Sequence, residues 1–364
     1  MTRDRFEAIT KHLHFSDNTQ APADDRLWKV RPVVDTLGAT FKTVFVPEQL
    51  VTVDESLWRY RGHHHAVQYN PKKRARFGLK VYKLCASDGP SAGYTCSFKI
   101  YMGKETKTIP AGLASHRAVT DLVEYAGLFD QGYELYTDNW YTSPTLFHYL
   151  QSRKTNAVGT VRTNRKAMPK PVMKVKETGK LEVQSSKTGM LALAWLDKRQ
   201  VTMLSTIHTG EEWTPMEPDH EGNIKWKPKV VTDYSNGMKG VDLSDQMAVS
   251  YATRRKCKKW YHNLFWRLVD TTIVNALCVH KYLGGRVPHK DFRMDLLKSF
   301  LKARRRKGPR EQVLPRDQHR LVRLPKRRRC QECVKSRRRK EPKWGCAICN
   351  IALCPGECFY AYHA

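Results

Sequence analysis

An α/β fold with a mixed-sheet core, followed by a separate cysteine-rich module, is predicted by three features of the sequence. Strand-like and helical periods alternate between residues 50 and 161. Within that stretch short apolar strands run directly into carboxylates, at Asp54 and again at Asp138. Six of the ten cysteines lie in the last 35 residues, which sets the tail apart as a module of its own.

Taken in order, the first element is a helix over 3–13 with Phe6, Ile9 and Leu13 on one face. It starts almost at Met1, so no regulatory tail is expected ahead of it. A polar loop over 17–25 leads to a second helix, in which Val34, Leu37 and Phe41 recur at helical spacing and Pro32 suits the first turn. From Leu50 the period changes to that of strands, at 50–53, 79–85 and 95–101. A helix at 119–126, a strand at 133–136, a helix at 144–151 and a strand at 157–161 follow. This β-β-β-α-β-α-β order is the one expected of a ribonuclease-H-like core, with carboxylates on the first strand, after the fourth strand and on a later helix. Asp54, Asp138 and Asp242 occupy those places.

Residues 163–230 read as a β-rich insertion with its own small sheet, built from strands at 191–196 and 200–206. The core closes over 231–250. A long helix at 260–283 follows, with Trp260, Leu264, Leu268 and Leu277 as buried positions, and Gly284 and Gly285 stop it. The expected division is a helical segment at 1–46, the core at 47–162 and 231–250 around the insertion, a helical segment at 251–300, a basic linker at 301–329 and a cysteine-rich finger at 330–364.

Chemistry concentrates in three acidic words. Asp54 ends the first strand, Asp138 ends the fourth, and Asp242 with Asp245 are spaced by three, so on a helix they share one face. Singly, each of these reads first as a turn or helix-capping residue, since capping Asp is so common. Together they form a cluster that a sheet would assemble, and clustered carboxylates stay ionised when divalent cations neutralise them. Divalent cations are therefore expected, in the arrangement where one ion activates the attacking oxygen and the other stabilises the leaving oxygen of a phosphodiester.

A formal net charge of +30 points to a polyanionic partner, and Arg/Lys clusters without a lipid motif favour nucleic acid. No apolar run is long enough to span a bilayer and no signal peptide is visible, so a reducing compartment is expected. Cys85, Cys96, Cys257 and Cys278 then read as buried small hydrophobes. Basic and aromatic residues interleave after Asp54, from Trp58, Arg59, Tyr60 and Arg61 through His63, His64 and His65 to Lys72, Lys73 and Arg74, a pattern able to neutralise phosphates and stack on bases. Three adjacent histidines cannot all face one ion, so they are not read as a metal tract. Arg254, Arg255, Lys258 and Lys259 approach the long helix and read either as its solvated start or as phosphate contacts. Basic clusters at 304–307, 326–329 and 337–340 suit nuclear import or nucleic-acid contact.

The tail contains Cys330 and Cys333, then Cys346 and Cys349, then Cys354, Cys358 and His363, with His319 as a further ligand candidate. Two CxxC knuckles each aim two thiolates at one tetrahedral ion, and seven or eight ligands imply two Zn2+ in an interleaved module. Spacing leaves the pairing of ligands open. With few apolar residues in the segment, zinc would supply most of its folding energy.

Several long words carry a family likeness: Val-Asp-Glu-Ser (53–56), Tyr-Thr-Asp-Asn-Trp-Tyr-Thr-Ser (136–143), Met-Lys-Gly-Val-Asp-Leu-Ser-Asp-Gln-Met (238–247), Lys-Trp-Tyr (259–261) and the tail from Cys358 to His363. Together they resemble piggyBac-type transposases and piggyBac transposable element-derived proteins over nearly the whole chain. The resemblance implies a nuclear, Mg2+-dependent DDD transposase that recognises terminal inverted repeats in double-stranded DNA, inserts at TTAA and acts as at least a homodimer. Asp54, Asp138 and Asp242 match the family's catalytic aspartates and Asp245 its additional metal-site aspartate. The flanking helices match its dimerisation and DNA-binding region, and the finger its reader of element ends. Two departures stand out. Lys239 replaces the first of two glycines before Val241-Asp242, and family members carry a longer, often acidic N-terminal segment. A domesticated, catalytically idle DNA-binding or chromatin-associated protein is the alternative these departures support.

Overall fold

The computed structural model describes the chain apart from residues 23, 72–75, 104–110, 170–173, 219, 254–256, 307–318 and 364, and apart from the side chains of 111–113 and 302–306. Two compact units divide it, Met1–Met294 and Asp295–Ala364.

The first unit opens with helices α1 (Arg3–Lys11) and α2 (Arg31–Val44). Strands β1 (Leu50–Arg59), β2 (Val67–Tyr69), β3 (Phe77–Ala86) and β4 (Thr95–Ile100) follow, then α3 (Ala111–Ala126), β5 (Glu134–Thr137), α4 (Pro144–Ser152) and β6 (Asn156–Thr160). Next come β7 (Leu181–Ser185), β8 (Leu191–Leu196), β9 (Gln200–Ser205), β10 (Trp213–Pro215) and β11 (Trp226–Pro228). Helices α5 (Lys229–Gly237), α6 (Gly240–Ser250), α7 (Trp260–Tyr282) and α8 (His289–Arg306) follow, and the boundary between the units falls within α8. The second unit adds β12 (Leu321–Arg323), α9 (Gln331–Lys335), β13 (Trp344–Cys346), β14 (Ile351–Ala352) and α10 (Glu357–His363).

One mixed sheet dominates, in the order β2-β3-β1-β5-β6-β9-β8-β7, with β4 on the other side of β3. β1, β5 and β6 run parallel, and the remaining pairs are antiparallel. The parallel pair β5–β6 follows from local sequence. Ser143 caps α4 by accepting from the Leu146 amide, Pro144 occupies the first turn, and the crossover helix returns the chain to the same end of the sheet. β3 is buried along almost its whole length because helices cover it and three strands pair with it, so its burial is near-continuous rather than alternating.

The structure changes three expectations. The strands of 163–230 do not build a sheet of their own: β9 pairs with β6, and β8 and β7 extend the main sheet. Alternation within 191–205 specifies strands but not partners, and the free edge of β6 supplied one. Only the short pair β10–β11 stands apart. Along α7, Leu264, Leu268 and Leu277 are buried as expected, whereas Trp260 is half-buried at the first turn, with its ring 4.8 Å from that of His64. Helix α1 buries none of its residues, and Ile9 is exposed.

Candidate functional site

The acidic words lie on adjoining elements, β1, the turn after β5, and α6. Parallel pairing puts Val53 beside Thr137, so Asp54 and Asp138 follow side by side at the ends of that ladder. Thr52, Asp54 and Ser56 alternate onto the same face of β1. Helix α6 lies over that face, because Gly240 abuts Thr52 at one end and the Ser56 hydroxyl donates to Asp245 Oδ1 (2.8 Å) at the other. Asp242, exposed in the first turn of α6, lies between those two anchors and thus over the level of Asp54.

Gly240 sets this approach. A Cβ there would stand 2.5 Å from the Ala86 carbonyl, 2.8 Å from Ser87 Oγ and 2.9 Å from Thr52 Cγ2. Lys239, by contrast, adopts ordinary right-handed helical geometry (φ −76°, ψ −21°) and donates to Asn236 Oδ1 in solvent. The lysine that departs from the family's glycine pair therefore leaves the turn before Asp242 unstrained.

Asp138 also shapes its own turn. Its Oδ1 accepts from the Trp140 amide (2.9 Å), and its carbonyl accepts from the Tyr141 and Thr142 amides. The capping role and the acidic-site role thus coexist in one residue. Burial raises the Asp138 carboxyl above its usual range and the charge of Glu55 adds to this, while the Trp140 amide opposes it. Burial and then Glu55, Asp54 and Asp138 likewise raise the Tyr141 phenol. Tyr234 on α5 is pushed up to about 12 by burial, with the charges of Asp138 and Asp54 adding. Two tyrosines on different elements thus lie within electrostatic reach of both Asp54 and Asp138. A carboxyl whose ionised form is disfavoured by its surroundings, beside a second one, is a donor set that a divalent cation fits.

Sequence reasoning missed several neighbours. Arg162 Nε donates to Asn139 Oδ1 (3.1 Å) and Arg165 Nη2 to the Asn139 and Trp140 carbonyls, so two cations brace the turn after Asp138. Lys80 lies over the Tyr82 and Trp140 rings and 3.8 Å from Glu55. Lys83 is fully buried, pairs with Asp245 Oδ1 (3.3 Å) and donates to Ser244 Oγ (2.6 Å). No local signal distinguishes it from a surface lysine on a strand.

Among the basic candidates, Arg59 and Arg61 are exposed at and beyond the end of β1, and Lys258 is exposed. Lys259 donates to the Lys11 carbonyl (2.8 Å), holding the end of α1. Lys72, Lys73, Arg74, Arg254 and Arg255 lie outside the described residues.

In the second unit the eight tail candidates gather into two groups, each with its ligand atoms within 4.8 Å of one another. His319, Cys346, Cys349 and His363 form one, and Cys330, Cys333, Cys354 and Cys358 the other. The two groups alternate along the chain, in the interleaved arrangement expected, with the pairing that spacing left open. His363 Nδ1 lies 2.7 Å from the Phe359 carbonyl, which leaves Nε2, 3.5 Å from Cys349 Sγ, facing the group. Removal from water pushes the Cys346 thiol up, but the Cys349 and Ile348 amides and His319 outweigh it and hold it at about 6. Four soft or borderline donors at tetrahedral reach fit Zn2+. Besides these cysteines and Leu353, little is buried here.

No helix among the described residues is long and apolar enough to cross a membrane. A family described as Transposase IS4 matches residues 1–277. The human PiggyBac transposable element-derived protein 3 is 27% identical over 386 residues, which cover 100% of this chain and 63% of that protein. The human PiggyBac transposable element-derived protein 2 is 27% identical over 306 residues, covering 81% of this chain and 50% of that protein. The chain thus spans about half to just under two thirds of the length of these relatives. A cryo-EM structure of a piggyBac transposase synaptic complex with hairpin DNA shares the mixed-sheet α/β fold, with a TM-score of 0.72 at 23% identity, over 99% of this chain and 80% of that one.

Proposed function

The chain belongs to the piggyBac-type transposase family, and on that basis we propose that it carries the ribonuclease-H-like core of a DDD DNA transposase. The reading is that it cleaves double-stranded DNA at terminal inverted repeats and joins the freed 3′ ends to TTAA targets. One observation supports it above the rest: Asp54, within β1, and Asp138, just past β5, follow the last paired residues of two neighbouring parallel strands, beneath the helix that begins with Gly240 and bears Asp242. In this reading those three carboxylates hold Mg2+ or Mn2+. The bound cations supply an activated oxygen nucleophile and charge stabilisation at the leaving oxygen. The chain's own part is placement. Paired strands fix two carboxylates, the Ser56–Asp245 hydrogen bond fixes the helix with the third, and Arg162 and Arg165 brace the Asp138 turn. Rigid placement of this kind is where such sites gain most of their rate.

Exposed Arg59, Arg61 and Lys258, with the net charge of +30, are assigned to phosphate contacts, so binding weakens steeply as salt rises. The tail is assigned two structural Zn2+, the protein to the nucleus, and a homodimer to the pairing of two DNA ends. The test is Mn2+-dependent nicking and hairpin formation on a labelled duplex bearing an inverted repeat beside TTAA. Product that Asp138→Asn lacks supports the reading. A second reading, a domesticated chain that binds DNA without cutting it, is favoured by the likeness to human proteins described as transposable element-derived. Retained binding with no product on any end refutes the first reading in favour of the second.

A further inference from the structure

Resting on the acidic site just proposed, we infer that Lys83 is a built-in cation of that site and holds Asp245 as a positioning residue rather than as a ligand for a divalent ion. In the β1–β3 register Lys83 is the direct cross-strand partner of Asp54, so its side chain rises on the same face as the carboxylates. Its side chain is only 1% exposed. The ammonium reaches Asp245 Oδ1 at 3.3 Å and Ser244 Oγ at 2.6 Å, and Ser56 donates to the same Asp245 oxygen at 2.8 Å. Asp245 Oδ1 is thus engaged by one cation and one hydroxyl.

The surrounding polar groups make this a built network. Ser244 Oγ lies 3.0 Å from Thr95 Oγ1. Asn275 on α7 then clamps Thr95 from both sides, accepting from its amide at 2.8 Å and donating to its carbonyl at 2.9 Å. α6, α7, β1, β3 and β4 all converge on Lys83 through these contacts. Burying an unpaired ammonium costs several kcal/mol, so Asp245 is the group that makes Lys83 tolerable there. The pairing works in both directions. Lys83 anchors the second turn of α6 on the sheet and so fixes Asp242 one turn earlier, and its charge offsets the like charges of Asp54 and Asp138 across the strand. A divalent ion taking Asp245 Oδ1 would have to displace a buried ammonium.

The experiment has two arms on the full chain. In the first, Mn2+ is titrated calorimetrically into the parent, Asp138→Asn, Asp245→Asn and Lys83→Met. The expectation is that Asp138→Asn abolishes binding, Asp245→Asn leaves the affinity within about twofold, and Lys83→Met, which frees the carboxylate and removes a positive charge, tightens it about tenfold or more. A loss of tenfold or more in Asp245→Asn makes Asp245 a ligand and overturns the inference. In the second arm, melting temperatures are read for Lys83→Met, Asp245→Asn and the double variant. Asp245→Asn is expected to melt lower than the parent, and adding Lys83→Met is expected to raise its melting temperature again. Simple additive losses overturn the pairing whatever the metal data. If the parent shows no Mn2+ binding that Asp138→Asn removes, the metal-site reading fails by itself, and the second arm still decides the role of Lys83.

Discussion

Replacing Gly240 by alanine is expected to damage the protein far more than replacing Lys239 by glycine, although it is Lys239 that departs from the family pattern. The added Cβ would lie 2.5 Å from the Ala86 carbonyl oxygen, where 3.4 Å is the near limit of ordinary contact. Two of the three opposing atoms belong to β-strand backbone or a buried β-branched side chain, Ala86 O and Thr52 Cγ2, and neither swings away. The start of α6 must then lift by about 1 Å, an overpacking cost of about 1–3 kcal/mol. Differential scanning fluorimetry should show a fall in melting temperature of roughly 2–10 °C. Because Asp242 is two residues further on, the same lift misplaces its carboxylate, and Mn2+-dependent nicking should drop about 100-fold. Lys239→Gly removes only an exposed hydrogen bond from a residue in ordinary geometry, so its stability should stay within about 0.5 kcal/mol of the parent. Gly240→Ala that melts with the parent and nicks at the parent's rate refutes the claim that this close approach seats α6.

Three further outcomes are expected. Burial raises the Asp138 carboxyl above its usual 3.8, so the folded chain holds that proton more tightly than the unfolded one. Its stabilising contribution is complete below pH 3.8 and is lost as pH rises through the folded value. Metal-free Asp138→Asn should therefore melt above the parent at pH 7, lose that advantage in acid, and lose it on adding Mn2+ to the parent. Elemental analysis should find two zinc ions per chain, and Cys330→Ser should retain one. Chelation should unfold 319–363, since structural zinc contributes about 10–16 kcal/mol in such modules. Arg293 pairs with fully buried Asp270 at 3.4 Å and donates to the Tyr251 carbonyl at 2.7 Å, so Arg293→Met leaves a buried carboxylate with Thr253 as its donor and no cation, and should cost about 3–5 kcal/mol in chemical denaturation. A loss below about 1 kcal/mol rejects that pair as an anchor of the chain after α6.

The acidic candidates were legible because two of them sit at element ends, where sequence signals are strong: Asp138 comes before a Ser143–Pro144 helix start, and Asp242 lies in the first turn of the helix that opens with Gly240, whereas β1 runs past the expected end at Val53 to Arg59 and leaves Asp54 within the strand. Each is a local event within a few residues. The same holds for Gly284 and Gly285, where φ of +87° at Gly284 ends α7 as expected. Residues whose role depends on a partner far along the chain were not legible. Lys83 looks like any strand lysine until the β1–β3 register sets it opposite Asp54 and α6 brings Asp245 over it. Trp260 looks like a core position until the His64 loop proves to be its neighbour.

By itself the sequence determined the alternation of strands and helices, the family, the four acidic candidates and the eight candidate ligands of the tail, because periodicity, turn chemistry and short motifs are properties of contiguous residues. Tertiary structure decided that β7–β9 extend the main sheet, that the tail ligands divide into interleaved groups of four, and that a buried lysine stands among the carboxylates. These depend on strand register and helix seating, which are fixed by the free energy of the whole packed core and leave no periodic trace in any one segment.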